Sequence, residues 1–235
     1  EAHGTGTLGP GGRGALAEAG LEDQVDVIVG TLGKSLGSYG AFVACDEVMT
    51  RYLVNAARTF IFSTALPPPA VAAALAALGL LAGDPRRVQR LATNARALRG
   101  ALEAEGFAVG ESRTHILPLV IGDPGQAMRV CEIALKRGVF AQAIRPPTVP
   151  PMTSRLRLAV MATHREGELL AAARTFAAAA RAAGFDPRSQ AVHAHEVTEA
   201  PAPEPVPAAA FSAPPPVARA GVFDFEASGQ TRRAA

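Results

Sequence analysis

Two apolar runs of strand character, Val25–Gly30 and Ala41–Cys45, flank the glycine-rich loop Thr31-Leu32-Gly33-Lys34-Ser35-Leu36-Gly37. This pattern constrains the fold more than any other in the chain. The first run is almost continuously apolar, as expected of a strand inside a sheet covered on both faces. Strand, glycine loop, strand presents one side chain at a sheet edge, and glycines let backbone N–H groups approach an anion closely. The side chain presented is Lys34. Only two of the 23 basic residues are lysine, Lys34 and Lys136, so 21 are arginine. Arginine stays protonated and forms no imine, whereas lysine can do both kinds of chemistry once desolvated or placed beside another positive charge. From this stretch alone, two readings stand: a Schiff-base lysine, or a solvated loop lysine.

The remaining bounds are broad. At 235 residues with 49% hydrophobic content, the chain suits one to two domains with a substantial core. A net charge of +2 gives no argument for nucleic acid. No run of 18 apolar residues reads as a membrane span, and the alanine-rich stretch 69–82 is shorter and weakly apolar. No signal peptide is visible, so a cytoplasmic setting is expected. Cys45 and Cys131 each sit in an apolar run, which points to buried thiols rather than a disulfide or a metal site.

Glu1–Gly14 is too glycine-dense for a helix or a regular strand. Its Gly4-Thr5-Gly6-Thr7-Leu8-Gly9 matches a dinucleotide fingerprint in letters only, because no strand precedes it and Gly9-Pro10-Gly11-Gly12 follows it. His3 opens this segment, in a structural or a ligand-bonding role. Asp46 is expected to cap a helix to about Ala57. Thr59–Thr64 reads as a short extended piece whose last hydroxyls, Ser63 and Thr64, could contact a phosphate or cap the next helix. That helix follows Pro67-Pro68-Pro69 and ends at Gly83. Asp84-Pro85 is expected to start another, with Val88, Leu91, Ala95, Leu98 and Leu102 on one face. The change from apolar to amphipathic composition places a domain boundary near Gly83.

Beyond it, His115–Ile121, Val139–Ile144 and Arg155–Val160 read as strands and Pro124–Arg137 as a helix. The loop Arg145–Pro151 is stiffened by proline. Alternation puts Arg155 and Arg157 on one strand face, either gripping a carboxylate or solvated at a sheet edge. Thr163-His164-Arg165-Glu166 reads as a capping box for a last helix ending near Gly184. This is a compact α+β unit over residues 84–186. From Pro187 to Ala235, Pro/Ala-rich composition predicts a disordered tail, with seven of the 19 prolines within 201–216. Phe211, Phe223 and Phe225 there could form a docking motif.

Read together, Glu-Ala-His-Gly-Thr-Gly at 1–6, Gly-Thr-Leu-Gly-Lys at 30–34, Phe-Ser-Thr-Ala-Leu-Pro-Pro at 62–68, Arg-Pro-Pro-Thr-Val-Pro at 145–150 and Arg-Leu-Arg-Leu at 155–158 resemble the α-oxoamine synthases. These are pyridoxal-phosphate enzymes of fold type I. The likeness covers residues 1–184. It implies an α/β fold class: the C-terminal part of the cofactor-binding large domain over 1–83, then the small α+β domain.

The resemblance also assigns roles. Lys34 matches the lysine that carries pyridoxal 5'-phosphate and takes the Cα proton of the amino acid. His3 matches the histidine on the cofactor's ring oxygen, and Thr31 a phosphate ligand. Ser63 and Thr64 match hydroxyls that reach the phosphate of the neighbouring subunit in a homodimer. Thr148 matches a substrate contact, and Arg157 the arginine on the amino-acid carboxylate. Arg145–Pro150 is most similar to the branch that condenses L-alanine with a pimeloyl thioester for biotin synthesis, rather than to the glycine-using branches. The sequence begins at Glu1, just past the family's Asp that pairs the pyridine nitrogen, and upstream cofactor contacts are likewise unmatched. The expectation is therefore an N-terminally truncated chain that is inactive alone, or that acts only by association through an exposed apolar face.

Overall fold

The computed structural model describes residues 1–110 and 112–189. Its apolar interior has two parts. The larger is built on a three-stranded antiparallel sheet of β3 (Ile116–Gly122), β4 (Gln142–Ile144) and β5 (Ser154–Ala159) in the order β3-β5-β4. Strand alternation sends Leu117, Leu119, Ile121, Leu156 and Leu158 into the core. Three helices supply its other wall: α5 (Arg86–Ala104), α6 (Pro124–Lys136) and α7 (Glu166–Ala182). On α5 the expected stripe is buried through Leu91, Ala95, Leu98 and Leu102, and Arg86, Arg87, Arg90 and Arg96 are exposed. Asn94 is buried among these leucines. Its amide donates to the carbonyls of Met161 (3.0 Å) and His164 (2.8 Å), tying α5 to the turn between β5 and α7.

The smaller part lies in residues 1–83. Strand β1 (Val27–Thr31) pairs antiparallel with β2 (Ala41–Cys45), Val29 opposite Val43 and Thr31 opposite Ala41. Leu32 and Leu36 from the connecting loop bury against Ala74 of α4 (Pro68–Gly83). Before the hairpin comes α1 (Ala15–Ala19). After it, Asp46 caps α2 (Glu47–Ala56) as expected, accepting from the Met49 N–H at 2.7 Å. Among the described residues no single helix is long and apolar enough to cross a membrane.

Several local expectations are corrected. The hairpin is not covered on both faces, since Val29 is 56% and Val43 48% exposed. Thr59–Thr64 is not extended: Arg58–Ile61 forms the helical turn α3, prolonged because the Ser63 hydroxyl donates back to the Thr59 carbonyl at 2.6 Å. Asp84 does not cap α5, because its carboxylate is turned to Arg86 (2.6 Å). β5 is the central strand, so Arg155 and Arg157 are not edge residues. The α7 capping interaction sits two residues later than Thr163–Glu166, with the Glu168 carboxylate accepting from the Arg165 N–H at 2.9 Å. Order continues past Pro187, which is fully buried in a 3-10 turn ending at Ser189. The rest of the expected tail, with Phe211, Phe223 and Phe225, lies outside the described residues. Cys45 and Cys131 are half-buried free thiols, and burial followed by the charge of Glu132 pushes Cys131 up.

Candidate active site

The lysine loop is held at both ends. The Leu32 N–H donates to the Gly40 carbonyl (2.9 Å), the Ser38 N–H to the Leu32 carbonyl (2.8 Å) and the Gly37 N–H to the Lys34 carbonyl (3.0 Å). Leu32 and Leu36 are buried and Lys34 between them is exposed, so apolar anchoring on both sides projects the lysine outward. The Ser38 hydroxyl fastens the loop to α4 by donating to the Ala70 carbonyl (2.5 Å).

The glycine-dense N-terminal segment packs directly on this loop. The Ser35 hydroxyl donates to the Thr5 carbonyl (2.5 Å). Gly6, at φ +78°, could carry no side chain, because a Cβ there would stand 2.6 Å from the Ser35 oxygen. The Glu1 carboxylate accepts from the N–H groups of Ala15 (3.1 Å) and Leu16 (2.9 Å). That pairing commits its charge to the start of α1. The glycines therefore serve close backbone approach, which delivers His3 to Lys34.

From the other side come β3 and β5. A cavity of about 570 Å³ opens between these elements, with His3, Lys34, His115 and Arg157 in its wall. The two histidines feel charged neighbours in this wall. Partial desolvation, then the charges of Arg157 and Lys34, lower the pKa of His3. Desolvation, then His3 and Arg157, lower that of His115. Among the described residues no aspartate or glutamate lines this cavity. Cationic and neutral donors with no carboxylate suit a ligand with several negative charges. Among the described residues no group of three His, Cys, Asp or Glu could hold a metal.

Of the residues singled out from sequence, the cavity brings together His3, Lys34 and Arg157. Thr31, Ser63, Thr64 and Thr148 do not line it. The Thr31 hydroxyl sits within the hairpin turn, donating to the Gly40 carbonyl and accepting from the Gly33 N–H, both at 3.2 Å. Ser63 and Thr64 are exposed beyond α3, and Thr148 is exposed in the turn after β4. Sequence reasoning missed His115 as a site residue. A histidine opening an otherwise apolar strand was the available signal. Its Nδ1 is buried without a hydrogen-bond partner.

This geometry agrees with the relationships of the chain. Residues 1–176 match the family model for aminotransferase class I and II, and the chain belongs to that family of pyridoxal-phosphate enzymes. Among curated proteins it is similar to an 8-amino-7-oxononanoate synthase of Anaeromyxobacter dehalogenans. The two are 47% identical over 169 residues, covering 72% of this chain and 43% of the relative. A second 8-amino-7-oxononanoate synthase, from Geobacter metallireducens, is 46% identical over 186 residues, covering 78% and 48%. The chain thus spans about half the length of the curated relatives it matches.

Among solved structures it resembles a serine palmitoyltransferase of Sphingomonas wittichii (TM-score 0.74, 32% identity, 78% of this chain and 47% of that one). It also resembles an 8-amino-7-oxononanoate synthase of Francisella tularensis (TM-score 0.69, 25% identity, 79% and 55%). The residues present fit the family's cofactor. A primary amine stands in an acid-free cavity beside an imidazole and a guanidinium, matching the aldehyde, ring oxygen and anionic character of pyridoxal phosphate.

Proposed function

We propose that this chain carries the lysine-bearing part of an 8-amino-7-oxononanoate synthase. The reaction joins L-alanine to a pimeloyl thioester, with release of CO2 and the free thiol. The observation that carries the reading is the convergence of Lys34, His3 and Arg157 on one cavity without carboxylates. The cofactor, when bound, supplies the electron sink for the carbanion at the alanine Cα. Lys34 Nζ holds the cofactor and then takes the Cα proton as general base. Arg157, on the central strand of a rigid sheet, grips the alanine carboxylate with its planar fork. His3, whose pKa is lowered by desolvation and then by the charges of Arg157 and Lys34, donates a hydrogen bond to the cofactor's ring oxygen.

Thr31, Ser63 and Thr64 belong to this reading as phosphate contacts, the last two across a homodimer, and Thr148 as a substrate contact. The exposure of Ser63 and Thr64 away from their own cavity supports that assignment.

The test uses the two-lysine composition. The chain is incubated with pyridoxal phosphate, reduced with borohydride and peptide-mapped. Stoichiometric label on Lys34 with little on Lys136 is expected, and equal or negligible labelling of the two overturns the reading. For substrate choice, a version with the relatives' full length is assayed with alanine, glycine and serine against pimeloyl, acetyl, succinyl and palmitoyl thioesters. Preference for a pair other than alanine and pimeloyl would move the assignment to another branch of the family.

A further inference from the structure

The cavity contains a third cation that neither the sequence motifs nor the proposed roles use. Arg87 lies in the first turn of α5, and α4 and α5 meet at an elbow of 81°. Arg87 lines the cavity from this elbow, together with Leu80 and Leu81 of α4, Leu91 one turn further along α5, and Met161 after β5. It comes from a different element than the His3 cluster, since His3 and Lys34 belong to the N-terminal segment and the lysine loop and Arg157 to β5. The cavity is therefore amphipathic: one cationic group around Lys34, an apolar wall, and a separate guanidinium.

The partners of Arg87 leave its charge available. Among the described residues its one salt-bridge partner is Asp84, at 3.9 Å from Nε. The other carboxylate oxygen of Asp84 is committed to Arg86 at 2.6 Å, and that hydrogen bond holds the Asp84 carboxyl below the usual range. The Arg87 side chain remains 51% exposed. A long cationic side chain of this kind can lay its aliphatic stem along an apolar wall and keep its charged head in water.

We propose that Arg87 forms a second anion subsite, taking the distal carboxylate of a dicarboxylic acyl chain whose methylenes lie along Leu80, Leu81, Leu91 and Met161. This rests on the acyl-transfer reading and narrows it. A monocarboxylic chain satisfies the wall and leaves Arg87 with only its 3.9 Å contact to Asp84, so Arg87 is a residue of acyl specificity and takes no part in bond making.

The test measures binding of free acids to the 235-residue chain by NMR titration. Pimelate and heptanoate, equal in length and differing in one carboxylate, are compared. Pimelate is expected to bind more tightly by roughly fivefold, the contribution of a half-exposed ion pair. Arg87→Gln should remove that preference and leave heptanoate binding unchanged. Arg90→Gln, the same charge change on the same helix but outside the cavity wall, should preserve it. Equal binding of the two acids, or a preference that survives Arg87→Gln or is lost equally in Arg90→Gln, overturns the subsite. The borohydride map separates this from the parent reading. Label on Lys34 with no dicarboxylate preference means the subsite fails and the function stands. An Arg87-dependent preference without label on Lys34 means the reverse.

Discussion

Residues 84–189 and residues 1–83 differ in how completely they bury themselves. The later region has one continuous core in which Leu102, Leu117, Leu119 and Leu156 are fully buried. The earlier region has a cluster of only three buried residues, Leu32, Leu36 and Ala74. Seventeen of the 22 exposed large hydrophobic side chains among the described residues precede residue 84, from Leu21 ahead of the hairpin to Leu80 on α4. Exposed apolar surface of this extent marks a face that packs against something else. Yet the cavity takes Lys34 and His3 from the poorly covered region and Arg157 from the well-packed one. Lys34 is thus borne by the part with least burial of its own, and Arg157 by the central strand of a well-packed sheet.

The sharpest way to break this comparison is Lys34→Ala. It should abolish borohydride-fixed cofactor and leave the melting of the α5–α7 core unchanged. If both are lost, the loop supports the fold as well as the site.

Next in size is Leu102→Ala, a fully buried position on α5. It should cost about 2–5 kcal/mol in denaturant unfolding. Val43→Ser on the exposed hairpin strand should stay within roughly 0.5 kcal/mol. Similar costs at the two sites would show that the hairpin is covered in solution. Asn94→Ala removes two hydrogen bonds donated by a buried amide; the Met161 carbonyl keeps the His164 N–H at 3.2 Å, and the His164 carbonyl loses the amide donor. It should destabilise by about 1–3 kcal/mol.

Hydrogen exchange should resolve the same contrast without mutation. Slow amides are expected in β3, β5 and α5 and faster ones in β1 and β2.

The smallest effect is the pH dependence. His3 and His115 both have folded pKa values below 6.5, so the unfolded chain binds more protons than the folded one just below that pH. Stability should therefore fall as pH drops through about 6.5 and level off below the folded values. His115→Asn should flatten that slope. An anion in the cavity should offset Arg157 and Lys34 and raise the His3 pKa, readable by NMR. A His3 titration indifferent to bound phosphate would separate it from the cationic cluster.

Much of the fold was legible because single-element signals are local. The hairpin strands, the Asp46 cap, the stripe on α5 and the alternation of Arg155 and Arg157 follow from spacing alone. The misreadings came where a side chain had competing partners. Asp84 could cap a helix or bind Arg86, and Arg86 is close enough to take it. Ser63 could end a strand or bond back into a turn, and its geometry with Thr59 makes the turn. The Arg157 strand has no sequence sign of being central, because sheet order is a property of three segments at once.

By itself, the sequence determined which residues could do chemistry: a lysine among arginines, a histidine beside glycines, an arginine fixed on a strand. Those are matters of residue type and short spacing. Only the tertiary structure decided which of them share a cavity, and that the cavity lacks carboxylates. It also decided that His115 and Arg87, inconspicuous in sequence, stand in the same wall. The reason is physical. Lys34, His3 and Arg157 are joined by the approach of glycine backbones and the packing of a sheet against a helical elbow, and that convergence depends on contacts far apart in the chain.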